Sequence, residues 1–128
     1  MLPRFVLGML VLVSPPALAA SCPLPDQKPM LLVKMYFGQN RDARAWENFL
    51  ARTVTLRFPA GLTVYEAKGQ WTDPKTGRLA HERSRVVEIA TPDTAAARTN
   101  IAEIARLYRR DFHQQSVGVV TQQVCAHF

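Results

Sequence analysis

An α+β sandwich is the fold class this sequence predicts, and three observations predict it. Four strand-like runs and two helical stripes follow one another as β-α-β-β-α-β. The two helices carry their apolar residues on one side only, as helices lying on a sheet must. The chain has two cysteines, Cys22 and Cys125, one near each end of the predicted domain. Two strand-helix-strand halves of this kind build a ferredoxin-like fold, a four-stranded antiparallel sheet with both helices on one face.

Each element has its own signal. After a proline-rich entry (Cys22-Pro23-Leu24-Pro25, then Pro29), Met30 to Phe37 reads as the first strand, and Gly38 to Arg41 as a polar break. Asp42 is a candidate N-cap for a helix whose Ala43, Trp46, Phe49, Leu50 and Val54 recur at three- and four-residue steps. Phe58-Pro59-Ala60-Gly61 stops that helix. Leu62 to Trp71, rich in Thr, Val, Tyr and Trp, is the second strand. Asp73-Pro74-Lys75-Thr76-Gly77 is a turn, making a hairpin with a third strand over Glu82 to Ala90. Pro92-Asp93-Thr94 opens the second helix, with Ile101, Ile104, Ala105, Tyr108 and Phe112 on one stripe. Ser116 to Val124 is the last strand.

The cysteines test this topology independently. In a sheet of spatial order 4-1-3-2, the start of the first strand lies beside the end of the last. Cys22 leads into the first and Cys125 leaves the last, so both fall at the same end of the sheet, near enough to bond. A disulfide in turn suits an oxidising compartment.

Residues 1–20 have the three-part plan of a secretory leader. Arg4 is their only charge, Phe5 to Val13 is nearly unbroken apolar sequence, and Ala17-Leu18-Ala19-Ala20 offers small residues for cleavage. The apolar run is too short for a stable membrane-spanning helix. Cleavage after Ala20 leaves residues 21–128 as a single domain of 108 residues, a size able to bury its own core. The competing fate of Cys22 is lipid attachment, which would tether the protein to a membrane. Against it, Ala19 stands where a lipoprotein signal has a bulky aliphatic residue, and Cys125 would be left unpaired.

The full chain carries a formal charge of +6, and +5 remains once Arg4 is removed. The basic residues are scattered, and the densest group (Arg78, Arg83 and Arg85, with His81) is interrupted by Glu82. That pattern argues against a nucleic-acid partner.

The chain resembles a family of small exported bacterial proteins known only as a domain of unknown function, DUF3574. The likeness runs from Cys22 to Cys125. It rests on Cys22-Pro23, Phe37-Gly38, Trp46 with Phe49, and Arg57-Phe58-Pro59-Ala60-Gly61-Leu62-Thr63-Val64. Gly69-Gln70-Trp71, Glu82-Arg83-Ser84, Pro92-Asp93, Tyr108 with Phe112, and Gln115-Ser116-Val117 continue it. The resemblance implies export and paired cysteines, and it brings no activity with it.

Strand alternation then assigns faces. Leu31, Val33, Met35 and Phe37 are expected to face the helices, with Val87 and Ile89. Left on the open face are Leu32, Lys34, Tyr36, Tyr65, Ala67, Gly69, Trp71, Ser84, Val86, Glu88, Gly118, Val120 and Gln122. Lys34 and Glu88 fall on neighbouring strands and are expected to pair. A face this apolar calls for a cover, either a second copy of the chain, giving a homodimer, or another partner, with room for a small ligand between.

Gln70 and Trp71 lie across the hairpin from Glu82, Arg83 and Ser84, which suggests a polar site with Arg83 as anion binder and Glu82 as proton acceptor. The plainer reading is a cross-strand Glu–Arg pair beside a packed Trp71. His81, His113 and His127 have no metal-ligand spacing, no Gly-x-Ser-x-Gly is present, and Gly61 and Gly69 form no phosphate loop, so no cofactor or metal is expected. Trp46, Phe49, Tyr108 and Phe112 are expected to be core. The leading expectation is an exported, non-catalytic binding module. The alternatives are a cofactor-free enzyme of the dimeric α/β-barrel type, with its pocket over the open face, and a lipid-anchored envelope protein.

Overall fold

The computed structural model describes residues 21–38 and 42–128. The expected leader and most of the break after the first strand lie outside them. Four strands, β1 (Lys28–Gly38), β2 (Thr63–Thr72), β3 (Leu79–Thr91) and β4 (Gly118–Ala126), form one sheet in the order β2-β3-β1-β4. Every neighbouring pair is antiparallel. Helices α1 (Ala43–Phe49) and α2 (Ala95–Asp111) complete the ferredoxin-like α+β fold that the element order predicts.

Local signals place the ends of these elements. The Asp42 carboxylate accepts a hydrogen bond from the Ala45 amide at 3.0 Å, and the Thr94 hydroxyl accepts one from the Ala97 amide at 3.1 Å. Both are N-caps that satisfy amides the helix cannot. In the hairpin turn, the Asp73 side chain accepts from the amides of Lys75 and Thr76, and Gly77 takes a positive φ of 67° that favours glycine.

The first helix departs from expectation. It is α-helical only as far as Phe49 and continues over Leu50–Thr55 as a π-helix. Phe49 and Val54 are five residues apart and both buried. The wider i→i+5 turn keeps both against the sheet, where a tighter α turn would rotate Val54 away.

The core lies between sheet and helices. Leu31, Val33, Met35 and Phe37 of β1 meet Val87 and Ile89 of β3, and Ile101, Ile104 and Tyr108 of α2 close over them. At one end sits an aromatic cluster: the ring of Tyr108 lies 4.7 Å from Phe37, 5.2 Å from Phe49 and 4.3 Å from Phe112. At the other end Cys22 and Cys125 form a disulfide with Cα atoms 5.6 Å apart. Gln27 supports it by donating a side-chain hydrogen bond to the Cys125 carbonyl at 3.3 Å. Among the described residues no helix is long and apolar enough to cross a membrane.

Candidate functional site

The strand registers settle which candidate residues share a surface. Lys34 lies opposite Glu88 and Val120, Tyr36 opposite Val86 and Gly118, Tyr65 opposite Val86, and Trp71 opposite Ala80. Cross-strand partners point to the same side, so Lys34, Tyr36, Tyr65, Trp71, Glu82, Ser84 and Glu88 all belong to the face without helices. Gln70 and Arg83 do not. Their partners are His81 and Lys68, and both alternate onto the opposite side of the hairpin. A joint Gln70–Glu82–Arg83 site is therefore corrected: neighbours along a strand point to opposite faces, and Glu82 forms no ion pair with Arg83.

Large apolar side chains stand open on this face: Tyr36 is 42% exposed, Tyr65 41%, Trp71 47% and Val120 53%. Val86 belongs to the face by register yet is only 1% exposed. The expectation that it is open needs correcting, because it sits between the cross-strand rings of Tyr36 and Tyr65. Gly118 matters here for its lack of a side chain: a Cβ would come within 3.3 Å of the Tyr36 Cβ.

Near the middle of the face the Lys34 ammonium meets the Glu88 carboxylate at 3.1 Å, each side chain about one-third exposed. The hydrogen bond to Glu88, and then its charge, hold the Lys34 pKa above the ordinary lysine value. An ammonium held in this way keeps its proton and is a poor base or nucleophile.

Towards the disulfide the face becomes concave. A groove of about 940 Å³ is floored by Met30, Leu32, Ala90 and Val124, with Phe58 and Leu62 contributed by the turn after the π-helix. Its volume suits a small molecule. Glu88 lines it but is already paired with Lys34. Phe58 is anchored in the core, its amide bonded to the Val54 carbonyl at 3.1 Å. This wall is hidden in the sequence because Phe58-Pro59-Ala60-Gly61 reads only as a helix stop.

Arg85 is the residue the sequence reading missed. It appears there as one of a scattered basic group, yet it is only 7% exposed and faces the helices opposite Phe37. Its Nε donates to Glu66 Oε1 at 2.9 Å, its guanidinium lies 5.0 Å from the centre of the Trp46 ring, and its buried Nη1 has no hydrogen-bond partner. The odd-numbered parity it shares with Val87 and Ile89 was the available signal. Nearby, the Tyr108 hydroxyl donates to the Gly38 carbonyl at 2.5 Å, and burial pushes its pKa above the ordinary tyrosine value. Among the described residues no cluster of His, Cys, Asp and Glu could hold a metal ion.

The family described as "Protein of unknown function (DUF3574)" matches residues 33–128, and the chain belongs to it. No curated protein matches. Among solved structures, a phage SAM lyase in complex with S-methyl-5'-thioadenosine aligns with a TM-score of 0.55 at 16% identity, covering 76% of this chain and 90% of that one. A phage SAM lyase in the apo state aligns at 0.50 and 16% identity, covering 86% and 98%. A putative PII-like signaling protein from Thermus thermophilus aligns at 0.49 and 19% identity, covering 79% and 91%. At such identities the likeness concerns the fold alone.

Proposed function

We propose that this is an exported, single-domain binding module, residues 21–128 in its mature form, that self-associates through the open face of its sheet and seats a small ligand in the adjoining groove. One observation carries the reading: Tyr36, Tyr65, Trp71 and Val120 lie uncovered on one side of the sheet, around the Lys34–Glu88 pair. Four strands about 4.8 Å apart and some eight residues long offer roughly 500 Å² per copy. Two such faces give about 1,000 Å², the lower edge of a specific interface. The charges also suit self-pairing. A two-fold axis near Lys34 and Glu88 would bring the cation of each copy towards the anion of the other.

The pairing of Lys34 with Glu88 supports a non-catalytic role, because the cation and the carboxylate near the middle of the face are committed to each other. The disulfide supports export, and a bonded Cys22 leaves no thiol for lipid attachment.

Light scattering on residues 21–128 tests the association. The expected result is a mass above that of the monomer, lowered by Tyr36→Ala with Trp71→Ala while the melting temperature stays within a few degrees. A wild-type monomer at about 100 μM, far above the Kd expected of a specific interface, would sink the proposal. Mass spectrometry of the protein expressed with its first twenty residues should find Ser21 at the N-terminus. An intact leader would contradict export.

A further inference from the structure

We infer that β4 is a second interaction surface, built to pair edge to edge with β4 of another copy and so continue the sheet across two chains. The argument rests on the difference between the two sheet edges. At one edge, β2 places Glu66, Lys68 and Gly69 in mid-strand, and Glu66 is further committed to Arg85. Charges and glycine at an edge discourage another strand from adding to it. At the other edge, β4 reads Gly-Val-Val-Thr-Gln-Gln-Val-Cys-Ala, nine residues without a charge or a proline. Residues 118–123 are exposed, and β4 pairs with β1 alone. A chain whose charged fraction is 20% overall has kept all of it off this strand.

The occupant that fits is a second copy, because the strand is complementary to itself. In an antiparallel pair around a two-fold axis, residues of like parity must meet if the two open faces are to remain on one side. Centred on Gln122, such a pair sets Val120 against Val124 and Thr121 against Gln123. Centred on Thr121, it sets Val120 against Gln122 and Val119 against Gln123. Both arrangements bring together β-favouring or amide side chains, and neither opposes like charges. The backbone supplies the attraction: every second amide and carbonyl of β4 points away from β1 and needs a partner. Such a dimer has an eight-stranded sheet whose continuous open face doubles the area offered for face pairing. The edge contact itself does not depend on the face proposal.

The test uses the oxidised domain, residues 21–128, in sedimentation velocity together with hydrogen exchange. Thr121→Lys puts a cation on the exposed edge away from the open face and sets like charges close together in either register. It should halve the wild-type mass and leave the melting curve unchanged. Tyr36→Ala with Trp71→Ala should leave the edge contact in place. In wild-type protein the outward β4 amides should gain at least about tenfold protection as concentration rises through the association range. Unprotected outward amides in the associated form would overturn the inference, even if Thr121→Lys fails to fold. So would a Thr121→Lys protein of unchanged mass beside a face variant that falls to monomer, a result that leaves the face proposal standing. Protection gained only on adding a synthetic peptide of residues 118–124 to a protein otherwise monomeric would also overturn self-pairing.

Discussion

Replacing Cys22 and Cys125 with serine should cost this domain more than any single core substitution. The bond closes a span of 103 residues, from a short lead before β1 to the end of β4. In the chain-entropy model, forbidding the unfolded chain to separate ends that far apart contributes about 4.7 kcal/mol at 25 °C. The native state should change little, since Gln27 and the β1–β4 ladder hold the two ends together without the bond. With an unfolding entropy of about 2.1 cal/mol/K per residue over the roughly 108 residues from Ser21 to Phe128, that loss lowers Tm by about 20 °C. Thermal melts followed by circular dichroism, comparing the double variant with wild type and with wild type under reductant, measure it. The double variant and the reduced wild type should coincide. A loss below about 7 °C would refute the reasoning, since the ends would then be near one another in the unfolded chain or the bond would distort the fold it closes.

Two further outcomes follow from the ion pairs. Arg85 is buried while Glu66 is 56% exposed, so the two partners should respond unequally. Glu66→Ala strands a buried guanidinium and should cost about 1–3 kcal/mol in urea unfolding, reduced from the fully buried case by the exposure of Glu66. Arg85→Met fills the space with an apolar chain and should fall within about 1 kcal/mol of wild type. The opposite ranking would show the pair to be a net source of stability. Asp93 accepts hydrogen bonds from Arg98 at 2.7 and 2.9 Å and from Gln123 at 2.7 Å, and these hold its carboxyl below the usual aspartate value. A lowered folded pKa contributes stability above the unfolded value and loses it as pH falls through the folded one. Asp93→Asn should therefore flatten the acid limb of the stability profile below about pH 4. Superimposable profiles would exclude that role.

How much of this was legible beforehand depended on the range of the interaction. Alternation in β1 sorts Leu31, Val33, Met35 and Phe37 from Lys34 and Tyr36 without error, because strand periodicity is local. The same rule, applied to Glu82 and Arg83, separates them. Proximity in sequence is not proximity in a site, and between neighbours on a strand the pleat forbids it. The break in the first helix was not visible, since a three-and-four pattern ending in Val54 fits an α or a π turn until the sheet is there to be packed against.

The order of elements, the helix cap at Asp42, the opening of the second helix at Pro92-Asp93-Thr94, the hairpin turn and the meeting of Cys22 with Cys125 all followed from the residues themselves. Each rests on short-range geometry or on connectivity. Only the tertiary structure could decide that Val86 is hidden beneath two tyrosines, that Arg85 lies buried against Trp46, and that Phe58 and Leu62 wall a groove over Met30 and Leu32. Each of these depends on atoms from distant parts of the chain arriving at one place, and burial is a property of the assembled neighbours rather than of the residue they enclose.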